Sequence, residues 1–174
     1  TVTLSNGATI NIATGATTGT ATVAAPGDDP YVESGSVSAT IATATGGNFE
    51  SLVVDPAAAT TAVSDTIDVT TVSLSATASV AEGGSIVYTA TLTSAADTPV
   101  TVTLSTGETI TIAAGGTTGS VSIAAPAEDP YIDAGSVSRT ITAATGGNFE
   151  SLIVNPAAAT TTVTDTIGVT TVSI

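Results

Sequence analysis

Two stretches hold the side chains that could do chemistry. Residues 127–136 read Ala-Glu-Asp-Pro-Tyr-Ile-Asp-Ala-Gly-Ser, and residues 27–36 read Gly-Asp-Asp-Pro-Tyr-Val-Glu-Ser-Gly-Ser. Each packs three carboxylates into six residues: Glu128, Asp129 and Asp133 in one, Asp28, Asp29 and Glu33 in the other. Close carboxylates repel one another unless water or a cation intervenes. A hard cation such as Ca²⁺, which takes six to eight oxygens, is the usual occupant of such a loop. A competing reading is a solvated acidic turn, with Pro and Gly as breakers.

Composition removes most other chemistry. The 174 residues carry one Arg, no Lys, no His and 15 acids, for a formal net charge of −14. Without Cys there is no disulfide framework, thiolate metal site or cysteine nucleophile. Without His there is no imidazole acid–base pair or His-ligated metal. Neutralising phosphates takes cations, so nucleic acid is excluded as a partner, and an anionic membrane is disfavoured for the same reason. No apolar run approaches a membrane-spanning length, so insertion is not expected. An enzyme is the poorest candidate: the acids flank no evident cleft, and no aromatic platform accompanies them.

The elements that position these acids follow from an internal repeat. Residues 1–74 align with 101–174 at an offset of 100 without a gap, with 51 identities in the 74 pairs. A period this long is a domain rather than a solenoid coil. It sets a complete unit at 68–167, with 1–67 as the later part of a preceding unit lacking its opening strands. Residues 168–174 copy a first strand. The chain thus reads as a fragment of a longer array.

Within the complete unit, period-two alternation gives seven strands. They span 70–76, 85–93, 100–104, 109–112, 119–124, 136–143 and 149–165, the last interrupted at Asn155-Pro156. The composition is strand-forming, rich in Val, Ile and Thr. Short strands and a 100-residue unit predict an all-β fold of tandem immunoglobulin-like antiparallel β-sandwich repeats. Arg139 shares the parity of Val137 and Ile141, which points to an edge or an outward register.

An up-and-down strand count gathers the acids at the exit end of each unit. The first unit would offer Asp28, Asp29, Glu33 and Asp65 to Ca²⁺, with Asp68 on the linker. The second would offer Glu82, Glu128, Asp129, Asp133 and Asp165. Glu108 is a weaker member, because its counterpart is Ala8. Alternatively, acids at domain ends simply keep repeats soluble and apart.

Three motifs in this order carry a family likeness: Val80-Ala81-Glu82-Gly83-Gly84, Glu128-Asp129-Pro130-Tyr131-Ile132-Asp133, and Val163-Thr164-Asp165-Thr166-Ile167. They resemble the calcium-binding Calx-β and related immunoglobulin-like repeats. With Ala144-Thr145-Gly146-Gly147-Asn148-Phe149-Glu150, the whole unit resembles the extender repeats of giant bacterial biofilm adhesins, the LapA-like proteins and similar RTX adhesins. The resemblance implies a stalk segment of a surface-tethered protein, exported by type I secretion and rigidified by extracellular Ca²⁺. Its partners would be neighbouring repeats of the same chain. An alternative is a subunit of an extracellular filament, in which residues 169–174 of one chain supply a strand to another.

Overall fold

The structure is a computed structural model of the chain, and it describes residues 1–32, 35–133 and 135–174. Among the described residues every regular element is a strand. The chain divides into two compact units, one of residues 1–28 and 33–66, the other of residues 29–32 and 67–174.

The first unit holds β1 (Val2–Leu4), β2 (Thr9–Ile10), β3 (Gly35–Ala39), β4 (Ile41–Ala44) and β5 (Ala59–Val63). They form a sheet of order β2-β1-β4 and a β3-β5 pair, all antiparallel. None of its described residues is buried.

The second unit is a β-sandwich. Its strands are β6 (Val69–Ala76), β7 (Ser79–Ala81), β8 (Ser85–Leu92), β9 (Val100–Leu104), β10 (Thr109–Ile112), β11 (Thr118–Ala124), β12 (Gly135–Arg139), β13 (Ile141–Gly146), β14 (Ser151–Val154) and β15 (Ala159–Thr164). One sheet runs β11-β8-β6-β14; the others run β10-β9-β13 and β12-β15-β7. Alternation decides what is inside. Ile86, Tyr88, Ala90 and Leu92 of β8 are buried against Val100, Val102 and Leu104 of β9 and Ile110 and Ile112 of β10. Ser and Thr take the other face, as a half-wet sheet requires. The sheets approach closely at Gly119 of β11, where an added Cβ would run into the Thr111 carbonyl oxygen of β10.

Two details depart from the purely antiparallel sandwich. The 136–143 strand breaks at Thr140 into β12 and β13, and the strand interrupted at Asn155-Pro156 becomes β14 and β15. Both halves of the latter pair in parallel, β14 with β6 and β15 with β7. The turn expected after the first strand contains β7, a three-residue strand that crosses to the second sheet. Arg139 ends β12, the edge strand of its sheet, where a charge is tolerated.

The units differ for a physical reason. In the second, β11 pairs with β8 and β14 pairs with β6. Among the described residues of the first unit no strand corresponds to β6 or β8, and residues 18–24 and 51–54 form no strand. Residues 169–174 form no strand either, and Val169, Val172 and Ile174 are exposed.

The core placement predicts an asymmetry. Ile86→Ala should destabilise the second unit by about 2–5 kcal/mol. Ile12→Ala, at a residue 42% exposed, should stay within about 0.5 kcal/mol. Denaturant melts of both variants check this; an equal loss would place the core elsewhere.

Candidate metal centre

The acids converge through strand register. β15 lies between β12 and β7. It runs parallel to β7, with Thr164 opposite Ala81. The next residues along are Asp165 and Glu82, and the Glu82 N–H donates to the Thr164 carbonyl at 3.0 Å, continuing the ladder. On the other side β15 is antiparallel to β12, with Gly135 opposite Val163. Asp133 precedes Gly135 by two residues, and Asp165 follows Val163 by two. Neighbouring strands stand about 4.8 Å apart, so three adjacent strands end in a row of three carboxyls. One oxygen from each of Glu82, Asp133 and Asp165 lies within 4.8 Å of the others.

Burial differs along the row: Glu82 is buried, Asp165 partly buried and Asp133 exposed. Asp165 shares the face of Thr161 and Val163, both buried. A cleft of about 150 Å³ opens there, lined by Glu82 and Asp133 with Pro126, Val137 and Val163. Glu82 is only 9% exposed. Two oxygens of the group, Glu82 Oε2 and Asp165 Oδ1, are buried without a hydrogen-bond partner. Buried acceptors left unpaired cost on the order of 1–3 kcal/mol each, and more when charged.

The group responds as crowded acids must. The hydrogen bond shared with Asp133 and burial push the Glu82 carboxyl up from 4.5 to about 7, helped by the charges of Asp133 and Asp165. The Thr166 backbone N–H pulls the other way. With oxygen donors alone, the set suits a hard cation such as Ca²⁺ rather than zinc or copper.

The other sequence-derived acids are placed differently. Asp129 Oδ1 accepts the Tyr131 N–H at 2.8 Å, and Asp29 Oδ1 accepts the Tyr31 N–H at 2.9 Å. Both are turn-forming contacts. Glu128 stands beside the linker: a Cβ added to Gly168 would meet its Oε1 at 3.6 Å and the Pro130 Cα at 3.2 Å. Asp28 Oδ1 accepts the Thr66 hydroxyl at 2.6 Å and, with Asp65, lines a cavity of about 610 Å³ in the first unit. The Asp68 N–H donates to Glu150 Oε2 at 2.7 Å. Glu33 lies outside the described residues. Glu108 sits in the β9–β10 turn, where the Thr106 hydroxyl, its own N–H and Arg139 lower its carboxyl. Of the five acids expected for the second unit, Glu82, Asp133 and Asp165 come together among the described residues.

The LapA domain profile matches residues 1–66 and 68–166. The chain belongs to the LapA domain family. That membership relates it to the biofilm adhesins. No curated protein and no solved structure matches the chain. The two matched stretches meet near Ile67, where the two units also divide.

The raised Glu82 carboxyl gives a pH prediction. Its folded pKa exceeds the ordinary 4.5, so the folded state binds the extra proton between those values. Stability then falls as pH rises through that interval. In chelator, the second unit should lose stability from pH 4.5 to about 7, and Glu82→Gln should remove that part of the slope. Melts across this range check it; a wild-type curve parallel to that of Glu82→Gln would contradict the placement.

Proposed function

We propose that this chain is an extender, or stalk, segment of a secreted bacterial cell-surface adhesin that supports cell adhesion and biofilm formation, with Ca²⁺ held by Glu82, Asp133 and Asp165. The observation that carries the reading is the three-strand row of carboxyls, two of whose buried oxygens lack partners, in a LapA repeat. The role is structural, not enzymatic. Its partners are neighbouring repeats, and its place is outside the cell.

The proposed chemistry is a clamp. Glu82 fixes one wall of the site from the turn after β7, and Asp165 the floor from the end of β15. Asp133 belongs to the long loop between β11 and β12. A divalent ion bound to all three ties that loop to two strand ends of its own sandwich. Bidentate carboxylates can supply up to six of the six to eight oxygens that Ca²⁺ takes. At cytosolic calcium the acids repel and loosen the loop, which suits export. Outside, binding adds to folding free energy.

Isothermal titration and melting test this. Extracellular modules bind Ca²⁺ at about 10⁻⁴–10⁻³ M. At 10–100 times that constant, binding adds about 1.4–2.7 kcal/mol, or roughly 6–20 °C in Tm. Asp165→Asn should weaken binding at least tenfold. Glu82→Gln should melt higher than wild type in chelator and lower in calcium. Absence of heat at millimolar Ca²⁺, with a melt unchanged by chelation, would overturn the reading.

A further inference from the structure

The acidic loop of the first repeat contains a short segment that does a second job. Residues 29–32 belong to the second unit. There the Tyr31 ring stacks on Phe149, with centroids 5.9 Å apart and planes at 20°. Its hydroxyl donates to the Ala95 carbonyl at 2.8 Å. The backbone pairs as well: Tyr31 and Phe149 form an antiparallel bridge, the Val32 N–H donates to Asn148 O at 2.9 Å, and the Glu150 N–H donates to Pro30 O at 3.1 Å.

The receiving turn is built for this. Gly146, Gly147 and Asn148 all hold positive φ, and a side chain on Gly147 would collide with the Phe149 ring. Asp97 and Thr98 brace the turn: Asn148 Nδ2 donates to Asp97 Oδ2 at 3.2 Å, and the Gly147 N–H donates to the Thr98 hydroxyl at 3.1 Å. Phe149 is left only 8% exposed.

The same knob occurs again at offset 100. Asp129 makes the identical turn contact to the Tyr131 N–H that Asp29 makes to Tyr31. Yet Tyr131 is 73% exposed, whereas Tyr31 is half-buried. Val32 stays exposed even when its segment is seated, so the tyrosine is the side chain that distinguishes the two states. The turn at Gly46-Gly47-Asn48-Phe49 has the same sequence.

We propose that Pro130-Tyr131-Ile132 is a docking knob for a further copy of the complete repeat, seating on that copy's Gly-Gly-Asn-Phe turn as Pro30-Tyr31-Val32 seats on residues 146–149 here. The contact is heterologous, one patch against a different one, so it propagates in one direction rather than closing into a pair. It draws on an aromatic stack and a partly buried hydroxyl bond, and needs neither the metal nor the adhesin reading.

The test separates knob from receiver. A ¹⁵N-labelled chain carrying Tyr31→Ala, Val32→Pro and Tyr131→Ala has an emptied receiver and no knob. Unlabelled wild-type chain has a filled receiver and a free Tyr131. Short tethers give effective concentrations on the order of millimolar, so the wild type is added to that level. Saturable amide shifts at Gly146, Gly147, Asn148 and Phe149 are expected. Unlabelled Tyr131→Ala chain should produce a response at least tenfold weaker. Equal responses to the two donors, or none to wild type while the labelled spectrum shows a folded second unit, would overturn the proposal. If the triple variant does not fold, labelled Tyr31→Ala/Tyr131→Ala serves as receiver under the same two outcomes.

Discussion

The parallel pairing of β15 with β7 is the constraint on which the candidate centre depends. Had the chain returned as a plain antiparallel meander, Glu82 and Asp165 would not emerge from neighbouring strands in the same direction. Because both strands run the same way, one step past Thr164 and Ala81 brings their carboxyls side by side. The antiparallel partner β12 then supplies Asp133 from the opposite direction. Like charges on neighbouring strands are destabilising, so this row opposes folding unless something neutralises it.

The core shows why such an opposing element has leverage. It consists of Val, Ile, Leu and Ala with Tyr88 and Phe149 as its large members. Burial of apolar surface returns roughly 25 cal/mol per Å², and small side chains bring little area each. Net stabilities of domains are only about 5–15 kcal/mol. Two unpartnered buried carboxylate oxygens therefore weigh heavily, and whatever satisfies them shifts the folding equilibrium by a comparable amount.

Much of this was legible in the sequence. Alternation located the core residues of β8, β9 and β10, and Pro156 marked the break between β14 and β15. The repeat exposed the acidic loop and its tyrosine. The parallel ladders were not legible, because a run such as Ala159–Thr164 alternates identically whichever way its neighbour runs. Counting turns from end to end still grouped Glu82, Asp133 and Asp165, since both schemes put them at the same end of the sandwich. What the count could not do was separate those three from Glu128 and Asp129. That distinction lies in register and in side-chain direction, which a loop sequence with no period does not encode.

The acidic loop is thereby divided in labour rather than uniform in charge. Asp129 spends its carboxylate on the Tyr131 N–H, which shapes the turn. Tyr131, two residues on, is presented outward, and Asp133, two further, joins the row of acids. A shaped turn orients the tyrosine only if both ends of the loop are held. One end is held by the strand at Ala124, and the Gly83 N–H bond to Pro126 O reinforces it. The other runs into β12 at Gly135. The three carboxylates of this loop therefore stand at different points along one element: Asp129 in the turn that presents Tyr131, and Asp133 beside Glu82 and Asp165.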